Sequence, residues 1–371
     1  APPTAWWDTN YAHKRNLVIL NNDSNTMPAD FPIHIRFDAT TTPSAAEIYN
    51  ASLTATKGDD VRVVYDNQTE LHRFVQRFTP DQIDLWFPLQ AALDGGQTNN
   101  GDYQLYYGHT GGSSPPSNIN AVFLPKTDSN TVLLAHFQEA SGSTVADTSG
   151  RSHHGSFSSA GWADGFLGYA GSFNGTNSEV IFSNHVDFNL TAMTLEAWVW
   201  IPTDAPGDRH IFNKDTYWVR LTGSYWPYSK IFGIESGDGC PSVQPNTWAH
   251  IAVAYNGTDR VRTYVNGQRC NEKVISGFSP SHTAAAFRVG NAYNWPGRHF
   301  LGRIQHVRVS NIERTSFPYA RITTPPSVEA GLPIAPSVSG TPDLAILDLT
   351  TYPNPDGGLL VVAQVENQGD A

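Results

Sequence analysis

Apolar and polar residues alternate with a period of two along most of this chain. Thr191-Ala-Met-Thr-Leu-Glu-Ala-Trp-Val-Trp-Ile201, Asn246-Thr-Trp-Ala-His-Ile-Ala-Val-Ala-Tyr255 and Arg262-Thr-Tyr-Val-Asn-Gly267 carry β-branched or aromatic residues at alternating positions. The runs end in turn chemistry at Pro202, Asn256-Gly257 and Asn266-Gly267, the pattern of strands in a two-sheet sandwich. Similar runs come earlier, at Asn16-Leu-Val-Ile-Leu20, Ile33-His-Ile-Arg-Phe37, Val61-Arg-Val-Val-Tyr65, Ile83-Asp-Leu-Trp-Phe87 and Tyr103-Gln-Leu-Tyr-Tyr-Gly108. Their polar alternation predicts antiparallel strands with one wet face. The expected fold class is all-β: two antiparallel β-sandwich domains followed by a partial pair of strands.

Breaker-rich segments divide the chain. Gly111-Gly-Ser-Ser-Pro-Pro-Ser117 is one, and the stretch from Thr323-Thr-Pro-Pro-Ser327 through Pro333, Pro336 and Gly340-Thr-Pro342 is another. The predicted organisation is a first domain over 1–115, a second over 120–322, a Pro-rich linker over 323–342, and two closing strands over 343–371. About 30 residues cannot bury a core of their own. The closing strands are therefore expected to dock on this chain, to belong to a longer polypeptide, or to add to the sheet edge of a neighbouring copy as a homopolymer.

The second domain resembles the LamG type of concanavalin A-like sandwich, which implies a jelly roll. Matching landmarks run in order through Ser141-Gly-Ser-Thr-Val-Ala-Asp147, Ser149-Gly150, His154-Gly155, Ser172-Phe-Asn-Gly175, Thr194-Leu-Glu-Ala-Trp-Val199, Trp248-Ala-His-Ile-Ala-Val253, Tyr264-Val-Asn-Gly267, Gly302-Arg-Ile304 and Val307-Arg-Val309. The first domain resembles a bacterial secreted domain of unknown function, through Trp6-Trp7, Lys14-Arg15, Asp60-Val-Arg-Val63 and Leu105-Tyr-Tyr-Gly108. Residues 343–371 resemble the opening strands of an immunoglobulin-like bacterial adhesion domain. These resemblances imply an extracellular, cell-surface setting and a role in binding or adhesion.

Composition fits that setting. Gly 31, Pro 25 and 12% aromatics beside 15% charged residues suit a secreted all-β protein. A net charge of −11 disfavours nucleic acid and anionic membranes as partners, since both repel the chain at long range. No run reaches the roughly 20 apolar residues of a membrane span. The start at Ala1-Pro-Pro-Thr4 is read as that of a mature secreted protein. The two cysteines, Cys240 and Cys270, flank the hairpin expected from Trp248 to Val265 and are predicted to form a disulfide; two free buried thiols are the alternative.

Catalytic chemistry is hard to find. Glycosidases on such a scaffold set two carboxylates about 5 Å apart, whereas Glu196 has no second carboxylate two or four residues away. The resemblance implies a structural Ca2+ held by Asp147 and by a last-strand residue that is here Gln305 rather than Asp. Asp147 capping a loop is the alternative. His153-His154 is expected to be solvated.

Sugar recognition needs flat aromatic faces and a few directed polar groups. Trp198 and Trp248 sit at family positions and are expected in the core. Tyr225-Trp226-Pro227-Tyr228 and Asn294-Trp295-Pro296 with Arg298 are expected on loops, because Pro cannot donate to a ladder. If the loops converge, they form a glycan platform with Asn294, Arg298 and Asp215 as polar contacts. Arg73, Arg77 and Asp84 are expected to pair on an exposed face. The function expected is non-enzymatic adhesion or assembly with neighbouring protein subunits; the alternative is a glycan-binding module.

Overall fold

In a computed structural model, residues 6–53, 57–109, 111, 114–205, 207–274, 280–291, 295 and 297–334 are described, together with the backbone of the strands Leu344–Pro353 and Leu359–Asn367. The described chain is almost entirely β, as the alternation predicts. In the first domain a five-stranded sheet runs Ser327–Pro333, His13–Leu20, Thr98–Tyr107, Arg62–Tyr65 and Thr69–Glu70. A three-stranded sheet, Pro32–Phe37, Ile83–Pro88 and Phe74–Phe78, completes it. Leu17, Ile19, Val63 and Leu105 share a core with Ile33, Ile35, Leu85 and Phe87.

The second domain is a sandwich of two eight-stranded sheets. The front sheet runs Ile234–Ser236, Pro227–Ile231, Tyr217–Leu221, Arg209–Asn213, Phe287–Val289, Glu179–Phe182, Gly155–Ser158 and Thr144–Val145. The back sheet runs Gly161–Asp164, Tyr169–Asn174, Leu301–Ser310, Met193–Trp200, Trp248–Tyr255, Arg260–Val265 and Gln268–Val274; Thr131–Ala135 also pairs with Leu301–Ser310. Between Val265 and Gln268 the chain turns on Asn266 and Gly267, both at positive φ, as a two-residue hairpin demands. Leu195, Ala197, Val199, Ile251 and Val253 meet Phe212, Val219, Ile231 and Val289 in the sandwich core.

The central strands of the back sheet, Met193–Trp200 and Trp248–Tyr255, are buried on both faces. Trp198, Ala252, Ala254 and Tyr264 point away from the sandwich into the core of the first domain, joined there by Phe317, Tyr319 and Ile322. Polar alternation along 193–200 and 248–255 therefore does not mark a wet face. Glu196, fully buried, meets Arg308 Nε at 2.6 Å and His250 Nε2 at 3.0 Å, and accepts a hydrogen bond from the Tyr319 hydroxyl. Burial opposes ionisation of this carboxyl, but the Arg308 charge and the His250 and Tyr319 hydrogen bonds outweigh it and hold it down at about 2.

Two sequence expectations need correction here. The stretch 323–342 is not simply a spacer: Ser327–Pro333 lies antiparallel to His13–Leu20 as an edge strand of the first domain. Asp84 is not on an exposed face. It is fully buried, bonded by Arg36, Arg77 and His34, while Arg73 turns elsewhere and donates to the Gly58 carbonyl. Leu344–Pro353 and Leu359–Asn367 form a separate two-stranded sheet. Residues 368–371 lie outside the described residues.

Candidate functional site

Cys240 and Cys270 are disulfide-bonded, with Cα atoms 4.9 Å apart. Cys240 follows the edge strand of the front sheet and Cys270 lies on the edge strand of the back sheet, so the bridge closes one side of the sandwich.

Next to that side, the solvent face of the front sheet carries an aromatic and basic surface. Tyr217, Val219 and Leu221 enter the sandwich core, so alternation sends Trp218 and Arg220 outward. Pro227, Ser229 and Ile231 are buried, and Tyr228 and Lys230 face out beside them. On the next strand His210 pairs with Arg220, and Asn213 pairs with Trp218.

His210, Asn213, Trp218 and Lys230 line a pocket of about 410 Å³ with Asp215, Thr216, Phe232, Gly233, Ser281 and Trp295. Trp295 is 43% exposed, one of few large apolar side chains in the open. The Arg298 guanidinium lies 4.1 Å from its ring centroid. Arg220 sits over both Trp218 and Tyr228, at 5.1 and 5.3 Å. Asp208 pairs with Arg220 and lies 3.4 Å from Arg298, so one carboxylate tethers two guanidinium groups.

His210 forms part of the pocket wall. It is 1% exposed, with both ring nitrogens sealed from solvent. Burial and then the charges of Arg220 and Arg298 push its pKa down to about 3 against a backbone hydrogen bond with Phe212, leaving a neutral imidazole.

The structure brings only some of the expected residues together. Trp295 and Asp215 line the pocket, and Arg298 braces Trp295. Tyr228 lies on the same sheet face, 6.3 Å from Trp218 between ring centroids, but on a strand that begins at Pro227 rather than on a loop. Trp226 packs edge-on against Tyr228 and does not line the pocket. Tyr225 turns back against the sandwich core and donates its hydroxyl to the Thr203 carbonyl. Asn294 lies outside the described residues. His210, Trp218, Arg220 and Lys230 were missed, although Tyr217-Trp-Val-Arg-Leu221 carries the alternation used elsewhere.

The expected calcium ligands are otherwise engaged. Asp147 Oδ1 accepts from Leu134 N and Ser149 N, and Oδ2 accepts from Ser149 Oγ and His153 N, all within 3.0 Å. That is a carboxylate capping loops. Gln305 Oε1 accepts from Phe166 N instead, and the two side chains share no hydrogen-bond partner.

Residues 174–316 match the model of Laminin_G_3, the concanavalin A-like lectin/glucanases superfamily. That segment is a concanavalin A-like domain. Residues 1–173 and 317–371 lie outside the match. No curated protein matches the chain. Among solved structures, domain 4 of the extracellular arabinanase AbnA from Geobacillus stearothermophilus, in complex with arabinotriose, has a TM-score of 0.41 at 20% identity, covering 53% of this chain and 98% of that one. The binding domain of Paraclostridial Mosquitocidal Protein 1 has a TM-score of 0.42 at 15% identity, covering 50% and 49%. A Trypanosoma rangeli sialidase mutant displaying trans-sialidase activity has a TM-score of 0.41 at 15% identity, covering 53% and 32%.

Proposed function

We propose that this chain is a secreted, non-enzymatic glycan-binding protein that takes a sugar on the front-sheet face, between Trp295, Trp218 and His210. The observation that carries the reading is Trp295, whose ring is 43% exposed in the pocket wall with the Arg298 guanidinium 4.1 Å from its centroid. The apolar face of a sugar ring would lie against it, while Asn213, Asp215 and Lys230 in the same lining offer donors and acceptors to the hydroxyls.

Binding without turnover rests on the carboxylates. Glu196 is locked in the domain seam by Arg308, His250 and Tyr319, with no path to a sugar. The disulfide suits an oxidising, extracellular compartment, and no helix among the described residues is long and apolar enough to cross a membrane.

The test is a glycan array followed by calorimetry on the best ligand. Trp295→Ala removes an exposed ring that holds up no core and should weaken binding about tenfold, or about 1.4 kcal/mol. A broad array without a hit, or a ligand that binds Trp295→Ala and His210→Phe as tightly as the parent, would reject the site.

Adhesion or assembly through neighbouring subunits is the second reading. It rests on the strands Leu344–Pro353 and Leu359–Asn367, which pair with each other in a sheet of their own; two strands alone are marginal in water. Light scattering of the chain with and without residues 343–371 tests it, and a monomer at all concentrations in both forms removes it.

A further inference from the structure

The front sheet holds a second cluster of chemistry, unrelated to the pocket. Gly155–Ser158 and Glu179–Phe182 are antiparallel neighbours, with Gly155 opposite Phe182. The loop entering the first strand and the loop leaving the second are thereby brought side by side. His153 comes from one loop, and His185 and Asp187 come from the other. The ligand-type atoms of these three residues all lie within 4.8 Å of one another.

From this arrangement we infer that His153, His185 and Asp187 form a binding site for a zinc-class divalent transition metal. His153 Nε2 lies 2.9 Å from Asp187 Oδ2, and His185 Nδ1 lies 3.5 Å from Asp187 Oδ1. His185 Nδ1 accepts from the Asp187 backbone N–H at 3.2 Å, so its single lone pair is free of a proton and exchanges this weak hydrogen bond for the cation on binding.

The supporting shell is built in the way metal ligands are held. The backbone N–H of His153 is tied to Asp147, and its ring rests 5.1 Å from that of Phe188. Arg151 donates to Asp187 Oδ2 while its Nε is tied to the Thr131 carbonyl. This contact orients the carboxylate but also competes for its charge, which limits affinity. The donor set decides the metal: two imidazoles and one carboxylate suit zinc, cobalt or nickel, whereas calcium takes oxygen ligands. His185 is half exposed, leaving the outer side open for water as a fourth ligand.

The experiment is calorimetric titration of the full chain, stripped with chelator, with zinc chloride, repeated with cobalt chloride to follow the visible absorption of the bound ion. One equivalent should bind, unaffected by millimolar calcium. His185→Gln alters a half-exposed side chain and leaves the fold alone; it should weaken binding roughly tenfold or more, as should Asp187→Asn. Circular dichroism confirms the folding of each variant. Absence of a stoichiometric zinc site, or a site that survives both substitutions, would overturn the assignment. Neither outcome bears on sugar binding at the pocket.

Discussion

Arg308→Met probes how firmly the two sandwiches are joined. Arg308 is the strongest counter-charge to Glu196 at a seam that excludes water, and the substitution leaves that carboxylate buried with only His250 and Tyr319 as partners. Removing one member of a buried ion pair costs about 3–5 kcal/mol, because the survivor stays desolvated without compensation. Against a total stability of about 5–15 kcal/mol, that is about a fifth of the whole or more. Urea unfolding at pH 7, followed by tryptophan fluorescence, should show the midpoint fall in a single transition, since Trp86 of the first domain and Trp198 of the second share one core. The double variant Glu196→Gln/Arg308→Met, with no charge left to strand, should regain much of the loss. The pH dependence has a definite sign. Glu196 ionises in the folded protein near 2 against an ordinary 4.5, so its contribution is present above about 4.5 and is lost as pH falls toward 2. In Arg308→Met that loss should begin at a higher pH. A single variant weakened by less than about 1 kcal/mol, or a double variant no better than the single, would refute the reasoning.

Two further outcomes follow from described contacts. Replacing Cys240 and Cys270 together by Ser opens a link across 30 residues and should cost about 3–4 kcal/mol by loop-closure entropy, read as a lower urea midpoint; an unchanged midpoint would mean that the sandwich edges hold without the bridge. His136 Nδ1 and His306 Nδ1 lie 2.8 Å apart, both buried, and burial lowers both pKa values, that of His306 to about 3. Their stabilisation is complete above about 6.5 and should erode below it by about 1.4 kcal/mol per pH unit for each imidazole; stability in urea that stays flat from pH 7 to 4 would contradict this.

Much of the β architecture was legible from alternation and turn residues. The runs at 16–20, 33–37, 83–87 and 248–255 fall within or on observed strands because glycine, proline and asparagine bound them. What alternation does not reveal is whether a polar face meets water or another domain. Glu196, His250 and Asp84 occupy positions that read as wet, yet all three are buried, because each finds charged or hydrogen-bonding partners far away in sequence. The pocket was half legible for the same reason. Trp295 stands out as an aromatic beside proline, whereas Trp218 and His210 look like ordinary strand residues until the strands Arg209–Asn213 and Tyr217–Leu221 are laid side by side. Tyr225, at φ 66, packs against the sandwich core and stays out of the pocket lining, a placement its neighbours in sequence do not announce.

The pairing of Ser327–Pro333 with His13–Leu20 has a bearing on where this chain tolerates being cut. The first sheet takes its outermost strand from residues that follow the second sandwich, and His13–Leu20 lies between that strand and Thr98–Tyr107. A version ending at residue 322 would leave the backbone N–H and C=O groups of His13–Leu20 bare along one side, a ready template for a stray strand.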